Sequence, residues 1–126
     1  MPQMKAAIVV LSDPASGEEA LGRVFNALAA AYDFKQRAQV VELLFQGAGT
    51  RWPDVLASAS HPAHALWNAV QDKVAGVSHA CADVFGARAG AEKNGLALIS
   101  GNAVPGTAGL PSLAKYTAEG FTVLTF

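Results

Sequence analysis

Four largely apolar runs punctuate the chain at residues 6–11 (AAIVVL), 40–45 (VVELLF), 96–99 (LALI) and 121–126 (FTVLTF). None alternates strictly between apolar and polar positions, so each reads as a strand covered on both faces, the pattern of a parallel sheet held between helices. Residues 76–80 (GVSHA) form a fifth, weaker strand that leads directly into Cys81.

Helical periodicity fills the intervals. Ser16-Gly17-Glu18-Glu19 has the spacing of a capping box, and Leu21, Val24, Leu28 and Ala31 then recur at helical spacing, which predicts a helix to about Tyr32. Pro53 begins a short helix ending near Ser58. Ser60-His61-Pro62 starts another, with Leu66, Val70 and Val74 on one face and Gly76 as its stop. Pro111 opens the last helix, residues 112–119, and Gly120 closes it. Strands alternating with helices, without linker or repeat, predict one α/β domain over residues 1–126. The expected form is a three-layer α/β/α sandwich with a mostly parallel five-stranded sheet, flavodoxin-like in general architecture.

Composition narrows the function classes. Of the 126 residues, 52% are hydrophobic and only 15% charged, so little polar surface is available and self-association is expected. Trp52, Trp67 and Phe85 are candidates for that interface. Nine Lys and Arg residues are scattered singly and the net charge is -1, which supplies no footprint for nucleic acid or an anionic membrane. The N-terminal stretch MPQMKAAIVVLSD holds an apolar run of six residues, too short for a membrane span and without the layout of a signal peptide. A cytoplasmic protein is the expectation. One cysteine rules out an internal disulfide.

That cysteine, Cys81, lies where a strand passes into a helix. Unpaired N–H groups at a helix start favour a thiolate, the nucleophilic form, whereas the charge of Asp83 opposes it. His79 lies two positions earlier. If the strand stays extended through this point the two side chains face the same way, and a Cys–His pair becomes possible. The competing reading is a buried structural cysteine beside an ordinary histidine.

The segments GVSHACADVFGARAG and GNAVPGTAGLPSLAKYTAEGFTVLTF resemble the DsrE/DsrF family of small sulfur-relay-type proteins. In that family a strand ends in a cysteine followed by a short helix. A loop with a Val-Pro element, a helix and a Glu-Gly-aromatic turn into the last strand come later. Here these are Cys81, Val104-Pro105, residues 111–119 and Glu119-Gly120-Phe121; the helix EEALGRVFNALAAAYDF and the strand closing on LLFQGAG agree as well. The resemblance implies a homo-oligomer (dimer, trimer or hexamer) and a cysteine persulfide on Cys81, exchanged with sulfur donor and acceptor proteins and needing no cofactor.

Other candidates surround this reading. Residues 101–110 (GNAVPGTAGL) form a loop expected to border a ligand pocket, with Asn102, Pro105 and Gly106 as its contributors. FQGAGTRW places Gly47 and Gly49 after the second strand; a lone G-x-G is better explained by a tight turn than by a phosphate loop. Arg51 and Trp52 suit anions or flat ligands. His61 and His64 have a spacing metal ligands can use, but no further ligand accompanies them, so no metal is expected. Residues 12–19 (SDPASGEE) read as turn and cap, and no G-x-S-x-G occurs. Two alternatives to sulfur transfer remain on this fold: a small-ligand or nucleotide-binding module built from residues 47–52 and 101–110, and an oligomeric regulatory protein.

Overall fold

The strands are β1 (Lys5–Val10), β2 (Val40–Phe45), β3 (Val74–Ser78), β4 (Leu98–Ile99) and β5 (Thr122–Thr125). The computed structural model describes residues 3–126; Met1 and Pro2, the first residues of the N-terminal stretch, lie outside them. All pairings are parallel and the sheet order is β4-β3-β2-β1-β5. Six helices accompany the strands among the described residues: α1 (Glu18–Gln36), α2 (Trp52–Leu56), α3 (His64–Val70), α4 (His79–Val84), α5 (Arg88–Lys93) and α6 (Leu113–Ala118).

Register divides the sheet into two faces. Ala6 pairs with Val41, Ile8 with Leu43 and Val10 with Phe45, so these six side chains share one face. They join a single buried cluster with Val24, Ala27, Leu28 and Ala31 of α1 and Trp67 and Val70 of α3. Trp52 and Leu56 of α2, Ala82 of α4 and Ala91 of α5 belong to the same cluster. The opposite face carries Ala7, Val9, Glu42 and Leu44 and receives α6, whose Tyr116 hydroxyl donates to Glu42 Oε1 at 2.8 Å. Residues of β1 from Ala6 to Val10 are at most 1% exposed, so both faces are covered there.

The three-layer α/β reading holds, and several local expectations need correction. α1 begins after Gly17, whose φ of 82° no side chain cap accompanies; Glu19 pairs with Arg23 at 2.6 Å and no capping box forms. α1 also continues past Tyr32 to Gln36. α3 stops at Val70, because Val74 and Gly76 belong to β3. β-Branched Val74 and Val77 suit a strand. Gly76 is needed there because a Cβ would overlap the Ala97 carbonyl oxygen at a φ of 152°. β3 ends at Ser78, so the segment from His79 is helical rather than extended. Trp52 and Trp67 are 2% and 0% exposed, and Trp67 packs edge-on against Phe45 at 5.9 Å. They belong to the core, not to a surface available for self-association.

Burial, then the bond to Glu42, raises the pKa of Tyr116 above its usual value of 10.0. A folded-state value above the unfolded one means that this stabilisation is complete below the unfolded pKa and is lost as pH rises through the folded one. Tyr116→Phe should cost about 1–3 kcal/mol at neutral pH, since the Glu42 carboxylate loses its donor. Thermal melts above about pH 10 should then fall more steeply for the parent than for the variant.

Candidate functional site

Ser78, the last residue of β3, is fully buried, and its hydroxyl accepts the Cys81 N–H at 3.4 Å. This side-chain cap starts α4 at His79 and makes Cys81 the third residue of a six-residue helix. The thiol is half-buried. Phe85 closes the helix by donating its N–H to the Cys81 carbonyl at 2.8 Å, and Gly86, with φ of 66°, turns the chain away.

Two segments flank α4. On one side packs the 3-10 turn Gly47–Arg51. Its Arg51 donates Nε–H to the Phe85 carbonyl at 3.0 Å and places its guanidinium carbon 5.5 Å from the centre of the Phe85 ring. On the other side the Ala80 N–H donates to the Gly109 carbonyl at 2.9 Å. A cavity of about 360 Å³ opens there between Ala80, Asp83 and Val84 of α4 and Gly106, Thr107 and Ala108. The chain thus sets α4, which carries Cys81, against both glycine-containing segments expected from sequence, while Cys81 itself lines none of the three cavities described here.

His79 lies elsewhere. Its Nε2 is 3.7 Å from Asp83 Oδ2, and Asp83 Oδ1 is 3.7 Å from Arg88. Residues two apart on a helix point in different directions, so the shared orientation expected from an extended strand does not arise. Ser78 is the cause, since its cap begins the helix two residues ahead of the cysteine.

The remaining candidates divide. Asn102 and Leu110 form an antiparallel bridge, with bonds of 2.7 and 3.0 Å, that closes the loop on itself. Asn102 borders a separate cavity of about 350 Å³ with Gln46, Leu110 and Pro111. Gly106 lines the cavity beside α4, and Pro105 is exposed and borders none of the cavities described here. Gly49 is explained by packing: a Cβ there would overlap the Val10 carbonyl oxygen and sit 2.9 Å from its carbon. Gly47 adopts a φ of 56° in the same turn. Trp52 is buried, and its indole N–H donates to the Ser12 carbonyl at 2.8 Å. Arg51 remains accessible and also approaches both Asp13 oxygens at 3.5 Å.

The histidine pair serves the fold. His61 Nδ1 accepts the Ala63 N–H at 3.0 Å, and His64 places Nδ1 2.8 Å from the Leu56 carbonyl. Since a carbonyl only accepts, His64 Nδ1 carries the proton and Nε2, 3.1 Å from Asn68, is the acceptor. No group of three His, Cys, Asp or Glu residues among those described could hold a metal ion.

Sequence reasoning missed a cavity of about 430 Å³ where β1 and β5 end, lined among others by Ser12, Asp13, Glu19, Arg23 and Phe126. Of its lining, residues 12–19 were read as turn and cap, and the placement of β5 beside β1 is a tertiary fact.

Fold and site together define a single-domain α/β sandwich protein that carries one thiol at the carboxyl edge of a parallel sheet. The chain belongs to the DsrE/DsrF-like family, whose model matches residues 4–126. No curated protein and no solved structure matches it.

The packing role of Gly49 is testable. Gly49→Ala should lower stability by about 1–3 kcal/mol in urea denaturation, because the new methyl meets backbone that cannot rotate away. Gly101→Ala, in open space, should leave the midpoint unchanged.

Proposed function

We propose that this protein is a cytoplasmic sulfur carrier in which Cys81 holds a persulfide. The observation behind this reading is the place of the chain's only cysteine: half-buried at the Ser78-capped start of α4, in a family of the sulfur-relay type. In loading, the Cys81 thiolate attacks the outer sulfur of a donor persulfide. The Cys81 Sγ–S bond forms, the donor S–S bond breaks, and the donor leaves as a thiolate. Delivery repeats the exchange with an acceptor thiolate, and Cys81 is released. Neither step changes the overall oxidation level, and neither requires a cofactor. His79, whose Nε2 lies 3.7 Å from Asp83 Oδ2, is kept in this reading as the residue that tunes the thiol.

The cavity where β1 and β5 end favours a second reading, a small-ligand module. In open parallel sheets such crevices form at the carboxyl ends of strands where the strand order reverses, and β1 has β2 on one side and β5 on the other.

Incubation with a small-molecule persulfide followed by intact-mass spectrometry should add one sulfur to the parent chain and none to Cys81→Ser. Cys81→Ser should melt close to the parent temperature. A parent chain that never gains sulfur would eliminate the carrier reading and leave the ligand module.

The protein is also proposed to work as a homo-oligomer. Val84 beside the thiol is 77% exposed and Leu11 at the carboxyl edge 48%, apolar area that a second copy would cover. Light scattering at micromolar concentration should give a dimer, trimer or hexamer; a stable monomer would refute this. No helix among the described residues is long and apolar enough to cross a membrane.

A further inference from the structure

We propose that Arg51 is the positioning residue of the Cys81 thiol, holding the short helix that carries it; the assignment rests on the reading of Cys81 as the reactive sulfur. A helix of six residues has little stability of its own, and its last carbonyls have no partners within the helix. The Phe85 carbonyl obtains one from Arg51 Nε–H at 3.0 Å, a bond strengthened by the donor's charge. The same guanidinium covers the Phe85 ring at 5.5 Å. Phe85 in turn closes the helical turn that contains the thiol, by donating its N–H to the Cys81 carbonyl at 2.8 Å. Cys81 and Phe85 stand one turn apart, so the arginine holds the far end of the turn that begins at Cys81.

Arg51 is itself well anchored. Gly49, two residues earlier, is pressed against the end of β1, and the next residue, Trp52, is buried and bound to the Ser12 carbonyl. The contact with Asp13 is of a different kind. At 3.5 Å to both oxygens, with side chains 43% and 29% exposed, it is a long and solvated ion pair that contributes little. The brace is therefore the Nε–H bond to the Phe85 carbonyl with the guanidinium over its ring, which a lysine, as a point charge on a flexible stem, cannot reproduce.

The test uses the full chain, well below its melting temperature. Hydrogen exchange at the Phe85 amide, iodoacetamide alkylation of Cys81 and sulfur loading from a small persulfide are compared across variants. Arg51→Ala and Arg51→Lys should each speed exchange, alkylation and loading about tenfold, as expected for loss of a charge-assisted bond. Amides of β1 and β2 should keep their protection, which general destabilisation would not allow. Asp13→Asn, which retains the oxygen that accepts the Ala15 N–H at 2.9 Å, should behave as the parent. Unchanged exchange and alkylation in Arg51→Ala would overturn the proposal, as would full recovery in Arg51→Lys. Should the parent itself fail to load sulfur, the carrier reading falls, while exchange and alkylation still decide the role of Arg51.

Discussion

The burial of β1 on both faces is the constraint from which the remaining architecture follows. Its residues from Ala6 to Val10 leave almost no surface to water. A strand of this kind cannot sit at an edge, and it requires a layer above and another below. α1 and α3 supply one layer with a continuous set of large apolar side chains. α6 supplies part of the other, held by the hydrogen bond from Tyr116 to Glu42. The carboxylate in the middle of β2 is thus the polar fastener between this face and α6.

Parallel pairing gathers the carboxyl ends of all five strands on one edge. Ser12, the turn Gly47–Arg51, Ser78 and the loop after β4 therefore meet there, although they are far apart in the chain. Cys81 acquires its surroundings from this convergence. Trp52 ties the second strand's turn to Ser12, Arg51 ties it to α4, and Gly109 ties α4 to the last loop. Each tie is a hydrogen bond from one connection to the backbone of another.

How much of this was legible in the sequence depends on the range of the interaction involved. β2 was readable to the residue, because its apolar run, broken only by Glu42, is bounded by Gln39 and Gln46. The helix expected from Ser60-His61-Pro62 to a stop at Gly76 was too long at both ends: α3 begins at His64, and Val74 continues the helical spacing numerically, yet strand pairing with Leu43 takes precedence. The position of Cys81 was legible as a strand-to-helix junction. Its orientation was not, since it depends on which residue caps the helix, and Ser78 resembles any strand serine until its hydroxyl is seen to accept the Cys81 N–H. Arg51 and Trp52 stood out as unusual residues in a glycine turn, but a ligand explained them as well as packing did. Only the contacts with Phe85 and Ser12, both more than thirty residues away in sequence, distinguish the two. The sheet order lay beyond local pattern altogether.

The bridge between Asn102 and Leu110 has a bearing on how such a protein could diversify. Because the loop's two ends are joined to each other, its tip around Pro105 and Gly106 is mechanically separate from the sheet. Its base, through Gly109, is fastened to the thiol helix. Residues can be exchanged or inserted at an exposed tip of this kind without a penalty in the core. The tip borders the cavity beside α4 through Gly106 and Thr107. The rim of that cavity can therefore change shape while α4 stays in place, which separates variation at the tip from the demands of the fold.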